Sequence, residues 1–292
     1  MATTHPQAQV DAARSIDEFR KLMVTELAGE SLELPSFPEV ALRVRKALGD
    51  PDIGVDVVVR MVGAEPSLAV RLLQLANSAA LNPGGQRITV LRVAIARIGF
   101  NLARSATIAF AMSQMRRADA WRGLETRFRE LWEESAHLAA MSHAVAKRSR
   151  GINADLALLA GMLHAVGKLF LLTRLSRFPE LLNSPALYCQ VEGEWHARIA
   201  RAILTRWEIG GEVIAAVEYE QAAQLVSGVA DLRDVLFAAR YIASLPAGNP
   251  QPDPGVFSAS PFQRLGLDPT ACGEILAASA AEIASLRAAL ID

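Results

Sequence analysis

The sequence lacks the features that mark several common classes of protein. It has two cysteines among 292 residues, Cys189 and Cys272, and no CxxC pair, so neither a disulfide framework nor a cysteine-based zinc site is expected. The formal net charge of -1 gives no global reason to expect nucleic-acid binding. There is no glycine-rich phosphate loop, no strand-like alternation, and no basic-then-apolar leader in residues 1–10. We therefore expect a cytoplasmic protein that binds neither a membrane nor nucleic acid.

The sequence is rich in apolar residues, many of them at helical spacing. Apolar residues make up 51% of the chain and aromatics only 6%, and the common residues Ala, Leu, Glu and Arg favour helix. The most apolar stretch, Asp155 to Thr173, carries His164 and Lys168, so we expect a buried helix there and not a membrane span. Residues 1–13 are expected to form a loose tail and residues 246–261 an exposed loop. Helices are predicted over 15–27, 38–48, 55–63, 66–76, 88–98, 102–115, 121–148, 156–172, 192–207, 212–220, 231–245 and 267–292.

Five short motifs follow one another in the first third of the chain. They are Leu34-Pro35-x-x-Pro38, Asp50-Pro51, Glu65-Pro66-Ser67-Leu68, Leu72-Leu73-x-Leu75-Ala76-Asn77-Ser78-Ala79, and Ala94-x-x-x-Ile98-Gly99. Taken singly, each predicts only a cap, a turn or a helix contact. Their order and spacing resemble the N-terminal lobe of the HDOD family, the HD-related output domain. One departure is Glu65, where the family usually has Asp.

A sixth motif, Ala160-Gly161-Met162-Leu163-His164-Ala165-Val166-Gly167-Lys168-Leu169, resembles the signature of the HD superfamily of metal-dependent phosphohydrolases. That superfamily is named for a His-Asp pair whose two side chains bind catalytic metal. Here His164 is followed by Ala165, and a methyl group cannot coordinate a metal. The resemblance therefore implies a hydrolase scaffold that has lost its chemistry.

The resemblance to the HDOD family covers residues 31 to about 245 and implies an all-α fold of two packed helical lobes. The N-terminal lobe is expected over residues 31–118 and the HD-domain-like lobe over 119–245. A tail and short helix, residues 1–30, would precede them. A loop and closing helix, residues 246–292, would pack on the HDOD body.

The resemblance also assigns the remaining positions of the metal site. A first His of the family pattern falls at Glu134, after Leu131-Trp132, and a later His matches His196. Adjacent histidines of some HD phosphodiesterases fall at Glu218 and Tyr219, and a final Asp falls near Ala239 or Arg240. We expect no catalytic residue and no bound metal. Lys168 is a possible contact for an anionic ligand. The remnant site positions are then Glu134, His164, Ala165, His196, Glu218 and Tyr219.

Three functions are compatible with these residues. The leading hypothesis, implied by the resemblance, is a non-catalytic signalling or interaction module of bacterial signal transduction, without a cofactor, that binds signalling proteins in trans. The first alternative is a phosphohydrolase acting on a nucleotide or cyclic dinucleotide, since two imidazoles and two carboxylates could in principle hold a divalent transition metal. The second alternative is a catalytically dead receptor that binds such a nucleotide in the old cleft.

Overall fold

The computed structural model describes residues 6–29, 43–44, 46–47, 50, 52–115, 121–218, 228–245, 256–257, 260–278 and 280–291. Regular secondary structure in these ranges is helical, without a strand, which confirms the all-α prediction. The helices are α1 (Pro6–Ala28), α2 (Val55–Gly63), α3 (Pro66–Ala76), α4 (Leu91–Met115), α5 (Glu125–Arg148), α6 (Ala154–Leu163), α7 (Val166–Leu175), α8 (Pro179–Leu182), α9 (Pro185–Arg206), α10 (Gly211–Glu218), α11 (Leu232–Ser244), α12 (Ser260–Leu265), α13 (Pro269–Ala278) and α14 (Ala280–Ile291).

Helices α2, α3 and α4 pack together in the N-terminal part of the chain. Pro66 opens α3, where a missing backbone N–H costs nothing. Helix α4 bends at Gly99, whose φ of 73° lies in the left-handed region that glycine tolerates. Between α3 and α4, the Asn77 amide donates to the carbonyls of Leu73 (2.8 Å) and Ile88 (2.7 Å) and accepts from the Ile88 N–H (2.8 Å). The asparagine of the fourth motif therefore fastens the loop that follows α3.

Helices α5 and α6 approach each other closely within residues 119–245, the HD-like part of the chain. A Cβ added at Gly161 would lie 2.6 Å from the Cα atom of Ala139, so only glycine allows this approach. The N-cap predicted at Asn153 is confirmed, because its side chain accepts from the backbone N–H groups of Asp155 and Leu156. Helices α10 and α11 pack on this pair, α9 packs on α7 and α10, and one hydrophobic core joins them to the N-terminal helices.

The predicted single helix over residues 156–172 is wrong. The chain forms α6 and α7 with a turn at His164–Ala165 between them. Neither residue of the turn is Gly or Pro, and residues 157–172 are all buried, so the apolar pattern is continuous across the break. The HD position therefore lies at a joint between two buried helices and not within one of them.

The predicted tail over residues 1–13 is wrong from Pro6 onwards, because α1 begins there. Helix α1 packs against α8 and α9. Arg20 pairs with Glu194 at 2.8 Å, and Glu26 pairs with Arg174 at 2.9 Å. The first helix is thus held by the HD-like part of the chain.

The closing segment forms α13 and α14, with residue 279 between them outside the described residues, and α14 contacts both parts of the molecule. It packs against α3 and α4 on one side and α5 on the other. Lys147 pairs with Glu282 at 3.0 Å, and buried Arg71 donates to the carbonyl of Ala289 at 2.8 Å. The basic end of α5 is therefore partly neutralised by the closing helices.

One further helix boundary differs from the prediction, and one predicted loop lies mostly outside the described residues. Helix α9 begins at Pro185, ahead of the predicted start near Glu192, because Pro185 fits the first helical turn. Most of the loop predicted over residues 246–261 lies outside the described residues. Of its described residues, Phe257 packs against Phe262 with ring centroids 4.9 Å apart, and residues 260–261 are helical because they begin α12.

By length and composition alone, two stretches of the described chain would pass for membrane-spanning helices. They are Leu91–Gln114 and Ala154–Leu175. The most apolar windows of these stretches are 61% and 94% buried within the protein. Helices of a protein core meet the same criteria.

Candidate functional site

The joint between α6 and α7 holds the ring of His164 in one orientation. Its Nδ1 lies 2.7 Å from the carbonyl oxygen of Gly161. A carbonyl only accepts, so Nδ1 carries a proton and donates it to this oxygen. Nε2 faces Glu134 on α5, 3.9 Å from Oε1. His164 itself is fully buried. The structure thus brings together two of the predicted site residues, His164 and Glu134.

Glu134 is the exposed member of this pair, with 51% of its side chain accessible. The neighbouring His164 lowers the pKa of Glu134 to about 2, against the opposing effect of burial, and Lys168 and Arg240 act in the same direction. The 3.9 Å between Nε2 of His164 and Oε1 of Glu134 is longer than an ordinary hydrogen bond. Glu134 is therefore a fixed negative charge at neutral pH.

His196 approaches the same region from α9 and is 6% exposed. Neither of its ring nitrogens has a hydrogen-bond partner within the described part of the chain. Burial lowers its pKa to about 3, and the charges of Lys168, His164 and Arg240 add to the effect. The ring is therefore a neutral imidazole, and it is an unsatisfied buried polar group of the kind that needs an explanation.

Gly167 brings α7 and α9 together at His196. A Cβ at Gly167 would lie 2.4 Å from the carbonyl oxygen of His196 and 2.7 Å from its Nδ1. Gly167, the second glycine of the sixth motif, thus has a packing role that was not predicted from sequence. Only the fold reveals it, because the two residues are far apart in the chain.

Lys168, the predicted anion contact, is paired inside the protein. Its Nζ lies 2.9 Å from Oε1 of Glu192 on α9, and both side chains are largely buried. The sequence did not single out Glu192 as a site residue, because no local spacing links the two positions. Arg240 on α11 lies close enough to affect both Glu134 and His196 electrostatically.

Glu218, at the end of α10, is held by another group. Arg201 Nε donates to its Oε1 at 2.6 Å, and a second guanidinium nitrogen of Arg201 pairs with Oε2. Two-point binding of this kind occupies both carboxylate oxygens. Tyr219, the neighbouring remnant position, lies outside the described residues.

The side chains at this joint do not fit a two-metal HD centre. Ala165 is fully buried and presents a methyl group where the family pattern has the bridging carboxylate. In the described ranges, no three His, Cys, Asp or Glu side chains converge as a metal site would require. The cations Lys168 and Arg240 also add positive charge beside Glu134 and His196. The described residues of the joint therefore offer an incomplete set of ligands for two metals.

A family model decides the relationship of this chain to known proteins. The HDOD domain model matches residues 34–223, more than half of the sequence. The chain belongs to the HDOD family. The family resemblance inferred from the motifs is therefore confirmed.

Individual relatives of this HDOD protein are distant. An uncharacterized protein of Treponema pallidum (strain Nichols) is 22% identical over 211 residues, which are 68% of this chain but only 39% of that protein. The crystal structure of a candidate metal-dependent phosphohydrolase from Shewanella amazonensis SB2B is similar with a TM-score of 0.72 and 26% identity, covering 93% of this chain and 98% of that one. A candidate signal transduction protein from Marinobacter aquaeolei VT8 is similar with a TM-score of 0.63 and 19% identity, covering 97% and 67%.

Proposed function

We propose that this HDOD protein is a non-catalytic signalling module that works by binding other proteins. The observation that carries the proposal is Ala165. The carboxylate that would bridge two metals is replaced by a methyl group, fully buried at the α6–α7 joint. A two-metal hydrolase activates water between metals about 3.5–4 Å apart, and it needs shared anionic oxygens to hold them there.

The other remnant positions support the same proposal. The carboxylate of Glu218 is bound by Arg201, and Glu134 is paired with His164. His196 stays neutral but has the positive charges of Lys168 and Arg240 close by. Metal ligation by Glu218 would require breaking the ion pair that it makes with Arg201.

Hydrolase assays test the proposal against its main alternative. The purified full chain, supplied in turn with Mn²⁺, Fe²⁺, Zn²⁺ and Ni²⁺, should not cleave a phosphomonoester, a linear phosphodiester or a cyclic dinucleotide. Activity that depends on added metal and disappears in His164→Ala would establish the phosphohydrolase and refute the proposal.

The binding role has a separate test, which applies once a signalling partner is in hand. We expect partner binding to survive the double substitution His164→Ala, His196→Ala, with folding verified by circular dichroism, because the remnant site is not the recognition surface. Charge reversals on exposed residues of the binding face should weaken it. Loss of the partner by a folded double variant would make the remnant site the recognition element.

A catalytically dead nucleotide receptor is the second candidate function, and His196 favours it. A buried ring with two unpartnered nitrogens could be satisfied by a ligand. A cyclic dinucleotide that binds at His196 should raise the melting temperature of the full chain, and the rise should vanish in His196→Ala. No rise at saturating ligand would remove this candidate.

A further inference from the structure

A second concave region lies away from the HD joint, where α3, the loop before α4 and the closing helix α14 meet. It is an open groove with a volume of about 810 Å³. Small-molecule sites typically enclose about 300–1,000 Å³. Its walls come from the motif Leu72 to Ala79, which the proposed function does not use. The described residues that line it are Val70, Leu73, Gln74, Asn77, Ser78, Asn82, Gly85, Arg87, Ile88, Thr89, Ser285, Ala288 and Ala289.

Ser78 is the unusual member of this lining. It is 4% exposed, and its hydroxyl lacks a hydrogen-bond partner among the residues that the structure describes. Its neighbours in the motif behave differently: Asn77 makes three hydrogen bonds, and Asn82 donates to the carbonyl of Gln86 at 2.7 Å. The side chains of Asn77 and Asn82 therefore stabilise the loop through hydrogen bonds, whereas the hydroxyl of Ser78, a lining residue of the groove, has no partner among the described residues. An orphaned buried hydroxyl is costly unless something satisfies it.

The charge of the lining has one sign. Arg87 is its cation, and none of the described lining residues is acidic. In the described ranges no ion pair is made by Arg87, which is exposed on the loop before α4. A guanidinium matches the geometry of a phosphate and binds it through two parallel hydrogen bonds.

The rest of the groove offers a mixed surface. Val70, which is 53% exposed, and Leu73 form an apolar side on α3, and Ala288 faces them from α14. The amide of Gln74 and the hydroxyl of Thr89 supply further hydrogen-bonding groups. A phosphate alone would leave the apolar side and these polar groups unused.

We propose that the groove between α3, the loop before α4 and α14 binds a phosphate-bearing small molecule of mononucleotide size, with Arg87 and Ser78 on the phosphate. The flat or apolar part of the ligand lies against Val70, Leu73 and Ala288. This site is separate from the HD joint and does not depend on the absence of catalysis. Its third wall is α14, which also packs on α5, so a bound ligand would contact the helix that joins both parts of the protein.

Binding measurements on the full chain test the site directly. The probes are the four 5′-mononucleotides, adenosine and inorganic phosphate, followed by melting temperature and by isothermal titration calorimetry. At least one mononucleotide should raise the melting temperature and bind at one site per chain, more tightly than adenosine, which has no phosphate, and than inorganic phosphate, which has no apolar part.

Three variants and a control locate the binding. Arg87→Gln should weaken it about tenfold or more, because a charge-assisted contact is lost. Ser78→Ala should weaken it severalfold without lowering the melting temperature of the free protein, since an unpartnered hydroxyl is removed. Ala288→Trp, from an exposed position on α14, should fill the groove and abolish binding. Arg129→Gln, at an exposed position on α5, is the matched control and should change nothing.

Two results would overturn the proposal. One is the absence of stabilisation by every mononucleotide at millimolar concentration. The other is binding that is unchanged in both Arg87→Gln and Ala288→Trp, which would place the ligand elsewhere on the protein.

Discussion

The close approach of α5 and α6 supports the whole HD joint, and Gly161→Ala tests it. The added Cβ would lie 2.6 Å from the Cα of Ala139, 2.8 Å from its backbone nitrogen and 2.9 Å from the carbonyl oxygen of Leu138. All three are backbone atoms on α5, so no side-chain rotation can relieve the overlap. The two helices must move apart.

The loss of unfolding free energy caused by this overlap can be obtained by comparing Gly161→Ala with a matched variant, Gly193→Ala. Gly193 lies inside α9, and a Cβ there would meet nothing within 4 Å. Both substitutions gain helix propensity, roughly 1 kcal/mol at a helix interior. Only Gly161→Ala adds overpacking, which costs about 1–3 kcal/mol. The difference in unfolding free energy between the two variants therefore isolates the overpacking and should be about 1–3 kcal/mol, with Gly193→Ala the more stable.

Urea unfolding of both variants measures this difference, and a carbon-13 titration of the Glu134 carboxyl measures its local effect. Separation of α5 from α6 should move Glu134 away from His164, so the pKa of Glu134 should rise from about 2 towards its ordinary value in Gly161→Ala only. If Gly161→Ala is as stable as Gly193→Ala, with the same Glu134 titration as the parent, the helices are not in contact as described and the reasoning fails.

Two further predictions concern buried groups. Ala165→Asp should restore no hydrolysis and should lower the unfolding free energy by about 3 kcal/mol, since it places an unpaired carboxylate in a fully buried position; robust hydrolysis by this variant would show a nearly intact site. Burial, aided by the charge of Lys147, lowers the pKa of His143 to about 4. Between about pH 6.5 and pH 4, the unfolded chain therefore binds a proton at His143 and the folded protein does not. The unfolding free energy should therefore fall as the pH drops from about 6.5 to 4. Urea unfolding across this range should show that the number of protons taken up on unfolding is smaller by about one in His143→Leu than in the parent protein.

Local signals explain the parts of the fold that could be predicted from sequence. Asn153 caps α6 because its side chain reaches the N–H groups two and three residues on, and this depends on nothing distant. Gly99 interrupts α4 because the chain needs a left-handed φ there. Asp231 caps α11 in the same local way as Asn153.

The parts that were missed depend on tertiary contacts. The turn at His164–Ala165 carries no Gly or Pro, so no local residue signals the end of α6. The pairing of Lys168 with Glu192 joins positions on different helices. The attachment of α1 to the rest of the protein has the same origin, because Arg20 and Glu26 pair with residues of α9 and α7.

The positions of the site residues could be predicted from sequence, whereas their contacts with one another could not. The resemblance identified His164, Glu134 and His196, and the structure shows which of them meet: His164 faces Glu134, and both His164 and Arg240 influence His196. Sequence reasoning could not foresee that Arg201 binds Glu218, since the two residues lie on separate helices joined by a turn. The structural role of Gly167 against His196 was hidden for the same reason.

Metal content is the most direct test of the central claim that the HD site has lost its metal chemistry. The full chain should be purified without chelator, incubated with Mn²⁺, Fe²⁺, Zn²⁺ or Ni²⁺, desalted and measured by inductively coupled plasma mass spectrometry, with His164→Ala as the control. The account predicts well under one equivalent of any of these metals, and the same content in the variant. One tightly bound equivalent that is lost in His164→Ala would contradict it.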